Sequence, residues 1–322
     1  MRLRKWGSFN KIKLYSIISK KMNKKFWAKK NILITGASGF IGSNLCQYFD
    51  SQGISVFGAN QKKIDVLNRR QLEKVCENKK INLIIHCAAL DGNTEFKKNN
   101  SANIIDQNIR MALNVLEVAR QQEIKDIVIM SSSKVYTNIP NGNDNQKLFP
   151  INSAYAAAKI ITELLADTYA QNFKLNILLP RPSNIYGPGD LKTNKSGRVI
   201  QSMIKKALAG EDIEIWGDGK QKKQFIYIDD FIKIFVKMIE IGKFTHLNIA
   251  NPRAISLTEL ANNIIKLVNK NIKISYQKNK MPINEKLTIN TEEMKTLLDF
   301  KLTPLKIGLQ KNINFYQKNV RP

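Results

Sequence analysis

The sequence predicts an α/β protein in which a doubly wound parallel sheet is followed by a smaller C-terminal α/β lobe. Apolar runs of strand length alternate with segments of helical period from residue 31 onward. A glycine-rich turn joins the first apolar run to the first helical segment. The chain has 322 residues, of which 43% are hydrophobic, and this is enough for one large domain and a smaller second one.

The glycine-rich turn predicts a phosphate-binding site. The apolar run Ile32–Ile34 leads into Thr-Gly-Ala-Ser-Gly-Phe-Ile-Gly, which ends at Gly42. We expect Gly36 to adopt positive φ, Gly39 to leave space for a diphosphate, and Gly42 to let the helix lie close to the strand. The free N–H groups at the start of the helix attract phosphate. Although glycine triplets also occur in ordinary turns, this context favours a dinucleotide-binding, Rossmann-type domain.

The elements that follow continue the strand and helix alternation of a parallel sheet. They are predicted at helix Ser43–Ser51, strand Ile54–Phe57, helix Asn68–Asn78, strand Ile81–His86, helix Ala102–Gln121, strand Asp126–Met130 and helix Asn152–Asn172. The C-terminal part is expected to contain helix Leu257–Asn269 and strand Ile272–Ser275. The segment Asn138–Gln146, with its Pro and Gly, predicts an exposed loop over the site.

Positive charge is concentrated at the N-terminus. The formal net charge is +26, and residues 1–30 carry eleven basic residues and no acidic one. We expect residues 1–30 to form a flexible basic extension, with Met22 as an alternative start of the protein. Basic residues elsewhere are spread thinly, which argues against specific nucleic-acid binding.

Cysteine usage and hydropathy indicate the cellular compartment of the protein. The three cysteines, Cys46, Cys76 and Cys87, lack the spacing of a metal site, and two of them lie in apolar segments as reduced thiols do. No apolar run approaches the roughly 20 residues of a membrane helix. We therefore expect a cytoplasmic protein with no bound metal and no membrane span.

Residues beyond the second predicted strand bear on the choice of dinucleotide. Asn60 stands where such folds often carry an acid for the adenosine ribose hydroxyls, and Lys62 and Lys63 follow it. NADP is therefore an alternative to NAD, while the lysines are equally well explained as solvated surface. Asp65 either accepts a hydrogen bond from an adenine amino group or caps the next helix. For His86, at the end of the third strand, we expect a structural role and not that of an acid or base.

A serine, a tyrosine and a lysine form the candidate catalytic group. Tyr155 and Lys159 are four residues apart in a predicted helix, so their side chains lie on one face. We expect the ammonium to lower the pKa of the phenol, which then exchanges a proton with a substrate hydroxyl near neutral pH. Ser132 follows the fourth strand, at the sheet edge where open α/β proteins bind ligands. A Tyr-x-x-x-Lys pair alone is common, but the glycine turn and this serine make it specific.

With these motifs, residues 30–315 resemble the extended short-chain dehydrogenase/reductase family, a group of NAD-dependent nucleotide-sugar epimerases and dehydratases. The resemblance implies an NAD cofactor, with NADP as the alternative, and a nucleotide-sugar substrate. The implied cofactor contacts are Gly36, Gly39, Phe40, Ile41, Gly42, Asp65, Val66, Ala88, Ala89, Tyr155 and Lys159. The implied catalytic residues are Ser132, Tyr155 and Lys159, and the implied substrate contacts are Ser132, Asn184, Arg198 and Lys223.

The resemblance also implies a domain arrangement and an assembly. Residues 31–182 with about 229–250 are expected to form the NAD(P)-binding domain. About 183–228 with 251–322 are expected to form the lobe that binds the nucleotide sugar. A homodimer is expected through helices Ala102–Gln121 and Asn152–Asn172.

Departures from the family pattern argue against two of the reactions that occur in the family. The 4,6-dehydratases carry an Asp-Glu pair where this chain has Ser133 and Lys134, and a protonated lysine is a poor base. The GDP-fucose synthases carry a Cys where Lys134 stands and a His near Arg198. Lys223 replaces a usual Arg, and Asn290 replaces a frequent acid.

The function predicted from the sequence is that of an NAD(P)-dependent nucleotide-sugar epimerase. Such an enzyme oxidises a sugar hydroxyl transiently to a keto-sugar, with Tyr155 as acid and base. The alternatives are an NADPH-dependent nucleotide keto-sugar reductase, similar to the GDP-fucose synthases, and a non-catalytic dinucleotide-sensing protein.

Overall fold

A computed structural model describes residues 22–60, 64–136, 153–189, 198–243, 245–278 and 288–319. The helices are α1 Lys24–Trp27, α2 Phe40–Ser51, α3 Arg69–Asn78, α4 Thr94–Asn99, α5 Ser101–Gln121, α6 Ala154–Phe173, α7 Val199–Ala209, α8 Ile228–Ile241, α9 Leu257–Val268, α10 Glu292–Lys295 and α11 Leu305–Asn319. The strands are β1 Ile32–Thr35, β2 Val56–Ala59, β3 Leu83–His86, β4 Asp126–Ile129, β5 Asn176–Pro182, β6 Asn184–Tyr186, β7 Ile213–Trp216, β8 Lys222–Tyr227, β9 His246–Ile249, β10 Ala254–Ser256 and β11 Ile274–Gln277.

The main sheet has six strands in the order β2-β1-β3-β4-β5-β9. All neighbouring pairs in it are parallel. The chain passes from β1 to β2 on one side and then to β3 on the other. The carboxyl ends of β1 and β3 therefore form the switch point at which such sheets bind ligands.

Helices cover both faces of this sheet, because alternate side chains of each strand point to opposite faces. Ile32 and Ile34 of β1 pack in one core with residues of α2 and α8. Leu33 packs in the other core with residues of α3, α5 and α6. The two cores confirm the predicted doubly wound α/β class.

A smaller lobe follows β5. It contains the three-stranded sheet β10-β8-β6 and the pair β11-β7. In it, α9 packs against α7 and α11. The chain returns to the main sheet through α8 and β9, so β6 and β8 lie beside the carboxyl end of β5.

The predicted elements occur with shifted ends, and the shifts have a common cause. Strand β2 begins at Val56 instead of Ile54, because the N–H of Ile54 bonds to the carbonyl of Phe49 at the end of α2. Strand β3 begins at Leu83 instead of Ile81, because the N–H of Ile81 bonds to the carbonyl of Cys76 at the end of α3. In both cases the closing turn of a helix takes the donor that a sheet would have used.

The N-terminal region differs from the expected extension of residues 1–30. Residues 22–30 pack against the domain, and Trp27 is fully buried. Its indole nitrogen donates to Glu240 Oε1 at 2.6 Å, and its ring lies 4.9 Å from that of Phe49. An apolar residue with one polar handle fixes this short segment in spite of its basic neighbours. Residues 1–21 lie outside the described residues.

Other predicted features concern cysteines, membranes and metals. The three cysteines are free thiols. Within the described residues, no helix has both the length and the apolar character to cross a membrane. The same part of the chain holds no group of three His, Cys, Asp or Glu side chains arranged to bind a metal.

Candidate active site

The glycine turn lies against the loop that follows β3. Gly36 has φ of +67°, and a Cβ there would lie 2.7 Å from the backbone nitrogen of Ala88. A Cβ at Gly42 would lie 2.3 Å from the carbonyl oxygen of Gly36. Gly36 therefore has the predicted conformation, and Gly42 permits close contact between α2 and the turn that directly follows β1.

The start of α2 fits a dinucleotide diphosphate. Its N-cap residue, Gly39, provides no side-chain cap, and the first turn contains no acidic residue. A Cβ at Gly39 would meet only the Gly36 oxygen, at 3.2 Å, so the rest of this face is open. Uncapped N–H groups and the positive end of the helix dipole favour a bound phosphate group.

Two adjoining cavities open at this edge of the sheet. The turn cavity, of about 160 Å³, is lined by the glycine turn, Cys87, Ala89 and Lys159. The outer cavity, of about 360 Å³, extends along Ser132, strand β6 and strand β8. Five residues line both cavities: Ile41, Asp91, Met130, Tyr155 and Arg198. This boundary is where a cofactor in one cavity would meet a substrate in the other.

The structure brings the three candidate catalytic residues together. Ser132 lies after β4 and hydrogen-bonds to the phenol of Tyr155 on α6. The ammonium of Lys159 lies 5.7 Å from the Tyr155 ring centroid and donates to the carbonyl of Met130 at 2.6 Å. The local reason is the start of α6, where Ser153 Oγ accepts from the N–H of Ala156 and fixes the first helical turn.

The electrostatics of this group differ from the sequence expectation. Burial, followed by the charge of Asp91, raises the pKa of Tyr155. The groups that lower it are Arg198 and Ser132, and not Lys159 as we expected. Burial also lowers the pKa of Lys159 to about 8. An amine whose own charge is disfavoured by burial, and which is bound to a carbonyl, is a weak source of phenolate stabilisation.

The predicted substrate contacts lie along the outer cavity. Asn184, Arg198 and Lys223 all line it together with Ser132. The Asn184 amide donates to the carbonyl of Gln224 at 2.9 Å. The guanidinium of Arg198 lies 5.3 Å from the ring centroid of Phe40, which ties the cavity wall to α2. Lys223 lines only the outer cavity, whereas Arg198 lines both cavities, as Asp91 does.

His86 has a structural position, as the sequence favoured. It is 2% exposed, and its Nδ1 lies 2.8 Å from the hydroxyl of Thr35. Burial, with a contribution from Lys159, lowers the pKa of His86 to about 3. The imidazole is therefore neutral at physiological pH and is unsuited to acid–base exchange with a ligand.

A polar network holds both ends of the segment that carries Ser132. Glu163 on α6 accepts a short hydrogen bond from the hydroxyl of Ser131. The guanidinium of Arg181 on β5 binds both carboxylate oxygens of Glu163. It also donates to the hydroxyl of Tyr136 at 3.0 Å. The segment from residue 131 to residue 136 is thus fixed on either side of Ser132.

The two residues expected beside the adenine do not line either cavity. Asp65 Oδ1 accepts from the N–H of Leu67 at 3.0 Å, and Asn68, not Asp65, caps α3. Val66 is buried in the core, where its carbonyl accepts from Asn114 at 2.9 Å. Their contact with a cofactor stays a prediction. Lys62, Lys63 and the loop Asn138–Gln146 lie outside the described residues.

Sequence reasoning missed two charged residues of the site. Asp91 lies five residues beyond β3 and reaches the boundary of the cavities. Lys97 on α4 lies 2.9 Å from the carboxylate of Asp91 and 5.2 Å from the Tyr155 ring centroid. An acid shortly after the carboxyl end of a strand at the switch point is a signal that could have identified Asp91.

Comparisons with known proteins give relatives over nearly the whole chain. It is 32% identical over 321 residues to a dTDP-4-dehydro-6-deoxy-D-allose reductase from a Streptomyces species, with 92% of this chain and 98% of the relative covered. It is 27% identical to a UDP-glucuronate 4-epimerase from Thermodesulfobacterium geofontis, with coverage of 89% and 96%.

Among solved structures, a UDP-glucose 4-epimerase from Thermotoga maritima, determined with UDP-glucose, shares the fold. The TM-score is 0.79 at 21% identity, and the match covers 90% of this chain and 100% of that one. The profile of the NAD dependent epimerase/dehydratase family matches residues 32–250, and the chain therefore belongs to this family.

Proposed function

We propose that this protein is an NAD(P)H-dependent reductase of a nucleotide-linked 4-keto-6-deoxy sugar. The observation that carries the proposal is the 32% identity to a dTDP-4-dehydro-6-deoxy-D-allose reductase, over 98% of that relative. The group of Ser132 in the outer cavity, Lys159 in the turn cavity and Tyr155 at their boundary supports the same chemistry. The proposal thus prefers the keto-sugar reductase, which was an alternative in the sequence analysis, to the epimerase.

The residues have complementary roles in a reduction. Tyr155 donates its proton to the keto oxygen, and Ser132 holds that oxygen through its hydroxyl. Lys159 binds the nicotinamide ribose, while the start of α2 binds the diphosphate of the cofactor. The chemistry that NAD(P)H brings to the site when bound is hydride transfer to the carbonyl carbon. Lys223 and Arg198, which both line the outer cavity, hold the diphosphate of the nucleotide sugar.

The protonated form of Tyr155 suits a reductive step. Reduction of a ketone needs a protonated acid, whereas oxidation of a hydroxyl needs a base. Burial and the charge of Asp91 both raise the pKa of Tyr155, which keeps the phenol protonated. A phenol that is already protonated can donate its proton to the keto oxygen in the first turnover.

The test is stoichiometric consumption of the reduced cofactor. The purified protein is mixed with NADPH or NADH and a dTDP-linked 4-keto-6-deoxyhexose, which a 4,6-dehydratase generates from dTDP-glucose. We expect one equivalent of cofactor to be oxidised per keto-sugar, as followed by absorbance and by mass spectrometry of the product. Absence of oxidation with any nucleotide-linked keto-sugar would contradict the proposal.

The second candidate is a nucleotide-sugar 4-epimerase, the function that the sequence alone favoured. It is supported by the 27% identity to a UDP-glucuronate 4-epimerase over 96% of that protein. An epimerase interconverts two nucleotide sugars without net consumption of cofactor. Incubation with UDP-sugars and a catalytic amount of NAD, followed by chromatography, separates the two candidates.

The Tyr155→Phe variant separates both enzymes from a non-catalytic dinucleotide-sensing protein. We expect a loss of turnover of about 10²–10⁴-fold, because the phenylalanine ring keeps the packing but lacks the acid. Binding of the cofactor, measured by calorimetry, should persist. Biological activity that is unchanged in this variant would favour sensing.

We further propose a cytoplasmic homodimer that pairs through α5 and α6. The support is apolar surface on these helices, where Leu113, Leu164 and Phe173 are each exposed by more than a third. Sedimentation of the protein at micromolar concentration measures the assembly directly. A Leu164→Lys variant should shift it to a monomer.

A further inference from the structure

Asp91 places a carboxylate at the point where the two cavities meet. It lines both of them, as Tyr155 does. It is also close enough to raise the pKa of Tyr155. Its carboxylate therefore faces the region where a bound sugar would present its reacting carbon to the phenol.

The loop that carries Asp91 is fixed on both sides. Before it, Leu90 exchanges two hydrogen bonds with the Asn108 side chain, at 2.8 and 3.0 Å. After it, Gly92 packs so closely on Phe96 that an added Cβ would lie 2.4 Å from the ring. Asn93 then caps α4 by accepting from the N–H of Phe96. A carboxylate on such a loop is preorganised for binding.

The two carboxylate oxygens have different surroundings. Oδ1 is buried beside the ammonium of Lys97, which lies 2.9 Å away. One third of the Asp91 side chain is nevertheless exposed. This leaves Oδ2 as the oxygen that faces the cavity. The ammonium of Lys97 stabilises the negative charge of the carboxylate.

An ionised carboxylate can only accept hydrogen bonds, so its ligand must be a donor. It repels the diphosphate, whereas the ammonium of Lys223, which lines only the outer cavity, attracts it. It also repels a carbonyl oxygen. In a nucleotide-linked 4-keto sugar, the donor adjacent to the reacting carbon is a ring hydroxyl.

We propose that Asp91, held by Lys97, accepts a hydrogen bond from the hydroxyl on the ring carbon next to the carbonyl, and so selects sugars that carry this hydroxyl. The inference rests on the proposed function. It adds a residue that determines specificity, and it orients the sugar relative to Tyr155.

The experiment combines Asp91 variants with two substrates. The wild type, Asp91→Ala and Asp91→Asn are assayed with a dTDP-linked 4-keto-6-deoxyhexose and with its analogue that lacks the 3-hydroxyl. For Asp91→Ala we expect kcat/KM to fall about 10- to 100-fold on the hydroxylated sugar, mainly through KM. We expect little change on the deoxy analogue. Asp91→Asn should lose less, because its amide oxygen still accepts.

The comparison of substrates separates recognition from other roles of Asp91. A change in the acidity of Tyr155, or a loosened loop, would lower kcat/KM on both sugars equally, and that result would overturn the inference. Glu95→Gln is the matched control, since this exposed acid on α4 lines neither cavity. It should leave both sugars unaffected.

The failure of this inference can be told apart from failure of the proposed function. If the wild type reduces keto-sugars and Asp91→Ala matches it on both, only the role of Asp91 is wrong. If the wild type reduces no nucleotide-linked keto-sugar, the proposed function fails, and the inference fails with it.

Discussion

At the scale of single residues, burial dominates the chemistry of the site. The phenol of Tyr155 and the ammonium of Lys159 are each disfavoured in their charged forms by loss of solvent. The two groups therefore move in opposite directions: the pKa of the phenol is raised, and that of the amine is lowered. Near neutral pH, the raised pKa favours the protonated form of Tyr155, whereas the pKa of Lys159, at about 8, lies close to the ambient pH.

The lowered pKa of Lys159 predicts a pH dependence of activity. Its pKa is about 8 in the folded protein, against an ordinary value of 10.5, so the ammonium is half deprotonated at pH 8 and is lost as the pH rises further. If the charged lysine holds the cofactor, kcat/KM for NADPH should fall about tenfold per pH unit above 8. Steady-state assays from pH 6 to 10 measure this.

The control for this prediction is Lys159→Arg, which stays charged over the whole range. Its absolute rate should be lower, but its profile should be flat above pH 8. A wild-type profile without a fall before pH 9.5 would contradict the prediction. The same shift means that the buried ammonium opposes folding, so stability should rise with pH between about 8 and 10.5.

At the scale of elements, the contact between the glycine turn and α2 positions the cofactor site. Gly42 and Gly39 differ in what an added methyl group would meet. At Gly42 it would lie 2.3 Å from a backbone oxygen, whereas at Gly39 its nearest neighbour would be at 3.2 Å. The first position therefore serves packing, and the second serves access to the helix start.

This difference predicts distinct outcomes for two alanine variants. Gly42→Ala should lose both folding stability and cofactor binding, because the clash pushes α2 away from the turn. Gly39→Ala should fold with a similar Tm but bind the cofactor more weakly, because the methyl group enters the diphosphate path. Thermal unfolding and calorimetric titration with NADPH measure the two properties. Equal effects of the two variants on Tm would contradict this reading.

The ion pair of Glu163 and Arg181 links α6 to β5 and holds the Ser132 segment. The two side chains are only 9% and 19% exposed. Glu163→Gln leaves the guanidinium without its charged partner, and breaking a buried pair in this way costs about 3–5 kcal/mol. We expect a lower midpoint in urea and a lower kcat, because Ser132 loses its fixed position.

A surface pair on α3 is the matched control for this ion pair. Arg69 and Glu73 lie 2.9 Å apart but are exposed by 37% and 32%. Glu73→Gln should cost less than about 1 kcal/mol and leave kcat unchanged. Comparable losses in the two variants would show that burial of the Glu163 pair has no special effect.

At the scale of the whole molecule, residues 22–30 belong to the packed structure. Trp27 is fully buried and is anchored to α8 through Glu240. Trp27→Ala should lower the free energy of unfolding by about 3–5 kcal/mol, because it leaves a cavity and removes the indole hydrogen bond to Glu240. Lys25→Ala, an exposed change in the same helix, should stay within about 0.5 kcal/mol. Similar urea midpoints for the two variants would contradict this packing role.

Local chemistry explains why much of the fold and site was predictable. The spacing of Tyr155 and Lys159 fixes one helix face, and apolar runs identify the strands of the sheet. The rule that ligands bind at strand ends then places Ser132 beside the glycine turn. The starts of β2 and β3 were predicted two residues too early, because the hydrogen bonds that close the preceding helices depend on backbone geometry and cannot be identified from the pattern of apolar residues.

The sequence by itself determined the fold class and predicted the glycine turn and the candidate catalytic residues, because each strand, turn and helix face is encoded by residues within a few positions of one another. Only the tertiary structure decided that Asp91 and Lys97 line the candidate site, that Trp27 is core, and that burial raises the pKa of Tyr155. These depend on which loops and helices pack together and how much water they exclude. Burial and contact between distant segments arise from the assembled fold, and no short stretch of sequence contains them.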